Sequence, residues 1–174
     1  MNEVLDLEVD PKLFRRAMGR FTTGVTVITA ADGEHVRGMT ANAFMSGSLE
    51  PPLCIISIAK RARMHEAISR ADHFGVSILA ESQIEVSDHF AGRPSATVNV
   101  EFERLGPAHV LADACARIAA RIIAHHDCGD HTIFIGQILR LEADDRPPLV
   151  YHAGRYRALD QGRLDHNVGS PEFW

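Results

Sequence analysis

Hydrophobic residues recur along this chain at two spacings, and each spacing predicts a different element. Leu13, Phe14, Ala17, Met18 and Phe21 fall on one helical face, with Lys12, Arg15, Arg16 and Arg20 turned to water. Asp10 followed by Pro11 marks the start of that helix, and Thr22, Thr23 and Gly24 mark its end. From Val25 to Ala30 apolar residues alternate with Thr, a strand pattern, and Asp32-Gly33 predicts a hairpin turn before the strand resumes at Val36. Residues 53–58 are a short apolar run that reads as a buried strand, entered after Pro51-Pro52 interrupts regular pairing. A helix is predicted over 63–71 with Met64, Ala67, Ile68 and Ala71 as its buried stripe, then a buried strand over 74–79. Ser82 and Glu85 are spaced as a capping box for a short helix that ends at Phe90, Ala91 and Gly92. Residues 93–107 carry Pro94, Gly106 and Pro107 with little periodicity and read as an excursion over the surface. Beyond it, 114–124 and 131–139 form a long hairpin about residues 127–130, and 149–152 and 156–159 a final one about Ala153, Gly154 and Arg155.

Within this pattern the stretch 38–52 is unusual, because hydroxyl and amide groups interrupt an otherwise apolar run. In an extended chain Thr40, Asn42, Ser46 and Ser48 share one face, while Ala41, Ala43 and Met45 point the other way. Short donors and acceptors beside Gly47 suit either a planar polar ligand or a phosphate, or else form a plain surface loop. Lys60, Arg61 and Arg63 open the 63–71 helix, where cations at a helix N-terminus either attract an anion or are simply solvated.

Composition narrows the classes. The 174 residues fit a single domain (1–174), and a net charge of -5 argues against a general nucleic-acid binder. The acidic residues 1–10 do not resemble a signal peptide, and no apolar run is long enough to span a membrane. Cys54, Cys115 and Cys128 are odd in number and lack C-x-x-C spacing, so a disulfide framework is not expected. These features predict a cytoplasmic protein. Several short strands in hairpins, with two or three helices and no repeats, predict a mainly β fold: a β-barrel with helical decoration.

Three chemistries can be weighed from motifs. His125, His126, Asp127, Cys128, Asp130 and His131 include every common zinc ligand type, yet side chains packed into a hairpin turn point apart and match no zinc spacing. No metal site is expected there, which leaves solvated turn residues or one functional histidine, His131, at the strand start. No G-x-S-x-G elbow marks a hydrolase nucleophile, and no G-x-G-x-x-G follows a strand to open a dinucleotide-binding helix.

Four segments in order then resemble the short-chain flavin reductases, the reductase components of two-component flavin-dependent monooxygenases. They are 14–29 (FRRAMGRFTTGVTVIT), the 38–52 stretch, 74–79 with 90–92, and 129–136 (GDHTIFIG). The resemblance covers about residues 12–159 and leaves 160–174 as a C-terminal extension. It implies a split β-barrel of the flavin reductase type, a homodimer with flavin near the subunit interface, and hydride transfer from NADH or NADPH to FMN or FAD. The reduced flavin would then pass to a separate oxygenase component. Carried over by position, Thr40, Ala41 and Asn42 would lie along the flavin ring, with Ser46 and Ser48 toward the ribityl chain and phosphate. Ser57, Lys60, Arg61 and Arg63 would serve the phosphate end, Arg93 a flavin or nicotinamide phosphate, and His131 the nicotinamide. Relatives often carry Ser or Thr where this chain has Arg61, Ala62 and Arg63, so cations would replace a hydroxyl there. A non-catalytic flavin- or haem-binding protein on the same barrel, and an oxidase of the pyridoxamine-phosphate type, are the alternative classes.

Overall fold

The structure is a computed structural model in which residues 9–96 and 98–159 are described. Most of the acidic N-terminal stretch and the whole 160–174 extension lie outside the described residues. Helix α1 (Pro11–Met18) begins as the sequence predicts, with Pro11 in the first turn and the Asp10 carboxylate accepting from the Lys12 N–H at 2.9 Å. Its apolar stripe is not buried, however. Leu13, Phe14, Met18 and Phe21 are all exposed, because no other element among the described residues covers that side of the helix.

The strands β1 (Thr23–Gly24), β2 (Thr26–Asp32), β3 (His35–Ala41), β4 (Phe44–Leu49) and β5 (Pro52–Ala59) follow in succession. Gly33, at φ +65°, makes the β2–β3 turn. Helix α2 (Arg63–Arg70) then buries Met64, Ala67 and Ile68 as its periodicity predicts, and β6 (His73–Ile78) follows. The next helix, α3 (Ile84–Phe90), is entered through a 3-10 turn, Glu81–Gln83. Its entry is capped by Gln83, whose side-chain oxygen accepts from the Ala80 N–H at 2.9 Å, and not by Ser82 as expected. The 93–107 stretch is not all excursion: it contains β7 (Phe102–Leu105), which pairs with β8 (Ala108–Leu111) across a turn at Gly106. Two long strands, β9 (Ala116–Cys128) and β10 (His131–Ala143), and the closing hairpin of β11 (Val150–His152) and β12 (Arg155–Arg157) complete the chain.

Seven strands form one antiparallel sheet in the order β3-β2-β6-β9-β10-β5-β4. Consecutive strands β3 and β4 therefore lie on opposite edges, yet Met39 and Ala41 of one and Phe44 of the other pack on the same interior. The sheet curls until its edges approach without pairing, an open barrel filled by Ile28, Ile56, Ile58, Phe74, Val76 and Phe134, and α2 packs its buried stripe into that interior. Close packing there is enforced by Gly136, where an added Cβ would sit 2.5 Å from the Phe74 ring and 2.9 Å from Ala120.

A second apolar cluster lies on the outer side of β2, where Val25, Val27, Leu79, Leu111 and Leu149 meet Phe90, Phe102, Tyr151 and Tyr156. The β7–β8 hairpin makes a third with Ala119, so β9 is buried on both faces where simple alternation predicted one.

Candidate functional site

The 38–52 stretch does not run as one strand. The chain leaves β3 at Ala41, bends at the exposed Asn42, and re-enters the opposite edge of the sheet at Phe44. The shared face expected for Thr40, Asn42, Ser46 and Ser48 is lost for two reasons. One is this crossing between edges. The other is a bulge at Gly47, which leaves Ser46 opposite buried Cys54 but Ser48 opposite Leu53, on the other face of β5.

What the bend creates is a cleft of about 220 Å³. Thr40, Ala41 and Asn42 form one side of it, and Ala91 and Arg93 come from the turn after α3, with Tyr151 and Tyr156 from the final hairpin. The Asn42 amide has no hydrogen-bond partner among the described residues. Thr40 is different, since its hydroxyl donates to the Ser87 carbonyl at 2.6 Å, and the Ala41 carbonyl accepts from the Thr26 hydroxyl at 2.7 Å. Ser87, fully buried, shares a hydrogen bond of 2.9 Å with the Tyr156 hydroxyl, which donates to Asp88 Oδ1 at 2.8 Å; the same oxygen accepts from the Arg93 guanidinium. Arg93 above all, and then Tyr156, hold the Asp88 carboxyl below its ordinary pKa. Burial raises the Tyr156 phenol above its ordinary value, and the bond from Ser87 opposes that rise while Asp88 adds to it.

A wider cleft of about 750 Å³ is lined by the preceding part of β3 and by His89 and Phe90 at the end of α3, and reaches the start of α2. Arg37 in it is paired with Asp32 at 2.5 Å, whereas Arg63 has no carboxylate partner among the described residues. The buried His89 Nδ1, on the same wall, also finds no hydrogen-bond partner among the described residues. Gly38 is required there, because a Cβ would come within 2.6 Å of Phe90 Cδ1.

The remaining predicted residues sit on the β4–β5–β10 side. Ser57 pairs with Ile133 and His131 with Ala59, on the face of β5 and β10 turned away from the barrel interior. His131 Nδ1 lies 2.7 Å from Asp130 Oδ1, and that contact is the main reason the Asp130 carboxyl is held below its ordinary pKa, with the Arg61 charge contributing least. Lys60 reaches Asp127 at 3.2 Å, and its N–H donates to the Asp130 carbonyl at 2.9 Å. The structure thus gathers Thr40, Ala41, Asn42 and Arg93, places Arg63 in the adjoining cleft, and leaves Ser46, Ser48, Ser57, Lys60, Arg61 and His131 without a described bond to either. Among the described residues no three His, Cys, Asp or Glu side chains converge as a metal would require.

Sequence reasoning missed Ser87, Asp88, Tyr151 and Tyr156. One signal for two of them was available, for these are the only tyrosines in the chain and both fall in the final hairpin. They pair directly in register there, with ring centres 5.8 Å apart.

An open seven-stranded barrel with a helix packed into its interior and a polar cleft where the chain crosses between its edges defines a split-barrel class. Comparison with known proteins is more specific. Residues 18–160 match the flavin reductase like domain, and the chain belongs to that family. It is 43% identical over 159 residues to an NADH-dependent flavin reductase of a Rhodococcus species, covering 90% of each chain. It is also 43% identical over 147 residues to the reductase component of a Thermus thermophilus 4-hydroxyphenylacetate 3-monooxygenase, covering 84% of this chain and 95% of that one. Among solved structures, the flavin reductase PheA2 superposes with a TM-score of 0.85 at 44% identity, over 88% of this chain and 100% of the other. The Streptomyces globisporus NADH:FAD oxidoreductase SgcE6, solved with NAD and FAD fragments, gives 0.81 at 36% identity, over 90% and 98%.

The residues present fit a flavin. Tyr151 and Tyr156 offer an apolar wall, Asn42 a free amide for the polar edge of a ring, and Arg93 and the unpaired Arg63 positive charge for a phosphate. Thr40 fits less directly, since its hydroxyl is already committed to Ser87.

Proposed function

We propose that this chain is an NADH-dependent flavin reductase that accepts FMN or FAD and supplies the reduced flavin to a separate monooxygenase component. The observation that carries the reading is the meeting of the family-like 40–42 segment with Arg93 and the two tyrosines in one cleft. Bound flavin supplies the hydride acceptor and reduced nicotinamide the donor. The chain's own residues bind and orient. Asn42 hydrogen-bonds the ring edge, the tyrosine pair excludes water from one side, and Arg93 and Arg63 hold the phosphate end. None of them needs to gain or lose a proton for this work.

The other predicted residues enter through a second copy. Met45 and Ile123 are exposed, and Ile55, Ile133 and Ile135 are only half-buried, on the same side of the sheet as Ser57 and His131. A homodimer that covers these apolar side chains would bring His131, Ser57, Lys60 and Arg61 toward a neighbouring cleft, with His131 orienting the nicotinamide and the cations meeting phosphate. Ser46 and Ser48 are assigned to the ribityl and phosphate end on the same basis, from different strand faces. The three cysteines are all free, two of them buried, which supports a cytoplasmic setting. No helix among the described residues is long and apolar enough to cross a membrane.

The test is a steady-state assay at the nicotinamide absorbance band, with NADH and NADPH each crossed against FMN and FAD. The reading predicts NADH oxidation that depends on added flavin. A non-catalytic flavin- or haem-binding protein would give none with any combination, and that result would reject the reading.

A further inference from the structure

We propose that Asp88 is a positioning residue for flavin binding, using one carboxylate oxygen to hold both Arg93 and Tyr156 on the walls of the 220 Å³ cleft. The proposal rests on the reading that this cleft takes the flavin. Asp88 Oδ1 accepts from the Tyr156 hydroxyl, 68 positions away in sequence, and from the Arg93 guanidinium five positions away. It therefore ties the closing hairpin to the turn after α3. Ser87 extends the tie, since its hydroxyl meets Tyr156 and its carbonyl accepts from Thr40. One connected set of bonds thus fixes three segments that line the cleft.

A purely structural role for the Asp88–Arg93 pair is weaker on two grounds. The turn after α3 is already closed by its backbone, with Arg93 N–H donating to the Asp88 carbonyl at 3.0 Å, Ala91 N–H to the Ser87 carbonyl at 2.9 Å, and Gly92 at φ +87°. The pair is also open to solvent, with side-chain exposures of 65% for Arg93 and 37% for Asp88, and such pairs add little to stability. What the pair does provide is direction. A guanidinium has five N–H donors in a fixed plane, so anchoring one edge to Asp88 aims the rest. The lowered pKa of the Asp88 carboxyl and the raised pKa of the Tyr156 phenol agree with this arrangement.

The sign of one substitution separates this account from simple charge. A carboxylate beside an anionic ligand is repulsive, so Asp88→Asn should tighten FMN binding if only charge matters. If Asp88 instead preorganises Arg93 and Tyr156, the same change loosens it, because both side chains must then be ordered by the ligand. Fluorescence titration of FMN is expected to show Asp88→Asn weakening binding roughly fivefold, with Asp88→Glu recovering part of the loss. Added to an Arg93→Ala, Tyr156→Phe double variant, Asp88→Asn should change affinity less than about twofold, since its partners are gone. Absorbance titration of the phenol in a Tyr151→Phe background, which isolates Tyr156, should show its pKa falling in Asp88→Asn. FMN bound equally or more tightly by a folded Asp88→Asn variant overturns the proposal. So does an Asp88→Asn effect that persists undiminished in the double variant, or an unmoved phenol titration. If the wild-type chain fails to bind FMN at all, the functional reading falls and takes this proposal with it, an outcome distinct from those three.

Discussion

The barrel interior and the cleft at the end of β3 are built by opposite means. The interior is a single apolar cluster to which every strand of the seven-stranded sheet contributes, its strand residues placed by alternation and those of α2 by helical spacing. The cleft draws on β3, the turn after α3 and the final hairpin, and hydrogen bonds between residues up to 69 positions apart hold it together. Fold therefore rests on pattern, and the site on a few specific polar contacts. Damage to the interior should cost stability without selectively altering ligand affinity, and damage to the cleft the reverse.

The largest expected effect is in the interior. Phe74, fully buried against Gly136 and Ala120, should lose about 3–5 kcal/mol of stability on substitution by Ala. Urea unfolding measures this, and flavin affinity of the folded fraction should be unchanged. Cys54 offers a pH test of the same region. Burial raises its thiol from 9.0 to about 11, so the folded state holds the proton where the unfolded state has released it. Stability from this source is intact below pH 9 and falls as pH rises from 9 toward 11, by about 2–3 kcal/mol at most. Cys54→Ala should flatten that alkaline limb; an identical pH profile for the variant would show that the thiol is not shielded.

In the cleft region the order of effects continues downward. Arg63→Ala should weaken FMN binding about tenfold, near 1.4 kcal/mol, while leaving the unfolding midpoint nearly unmoved, because no carboxylate among the described residues depends on Arg63. A stability loss matching the affinity loss would erase the distinction between the two regions. His131→Ala should raise the apparent KM for NADH a few-fold, roughly one hydrogen bond, with flavin affinity unaltered. Equal KM values for variant and wild type would remove His131 from the site.

The same contrast explains how much could be read from the chain. The β2–β3 hairpin, β5, α2 with its Met64, Ala67 and Ile68 stripe, and the β9–β10 hairpin each carry long, regular periodicity. The β7–β8 hairpin escaped because four-residue strands repeat the pattern only twice, and Gly106-Pro107 at its turn looks like loop. For α1 the periodicity identified the helix but not what covers it, since amphipathicity records a preference for burial and not the partner. Of the residues named through the resemblance, Thr40, Ala41, Asn42 and Arg93 line one cleft, and their part in binding flavin stands as the proposal. The error over Ser46 and Ser48 came from assuming one continuous strand, when a single bulge reverses every side chain beyond it. Asp88 gave no local signal, and the tyrosines only their scarcity and shared hairpin, because their roles exist only once distant segments meet.

The central claim is that the flavin ring binds where Asn42 faces the tyrosine pair. A crystal structure of the chain with FMN or FAD tests it most directly. The account predicts ring density in van der Waals contact with Tyr151 or Tyr156 and hydrogen-bonded at Asn42. A ring seated elsewhere, touching none of these three residues in any protomer, would contradict it.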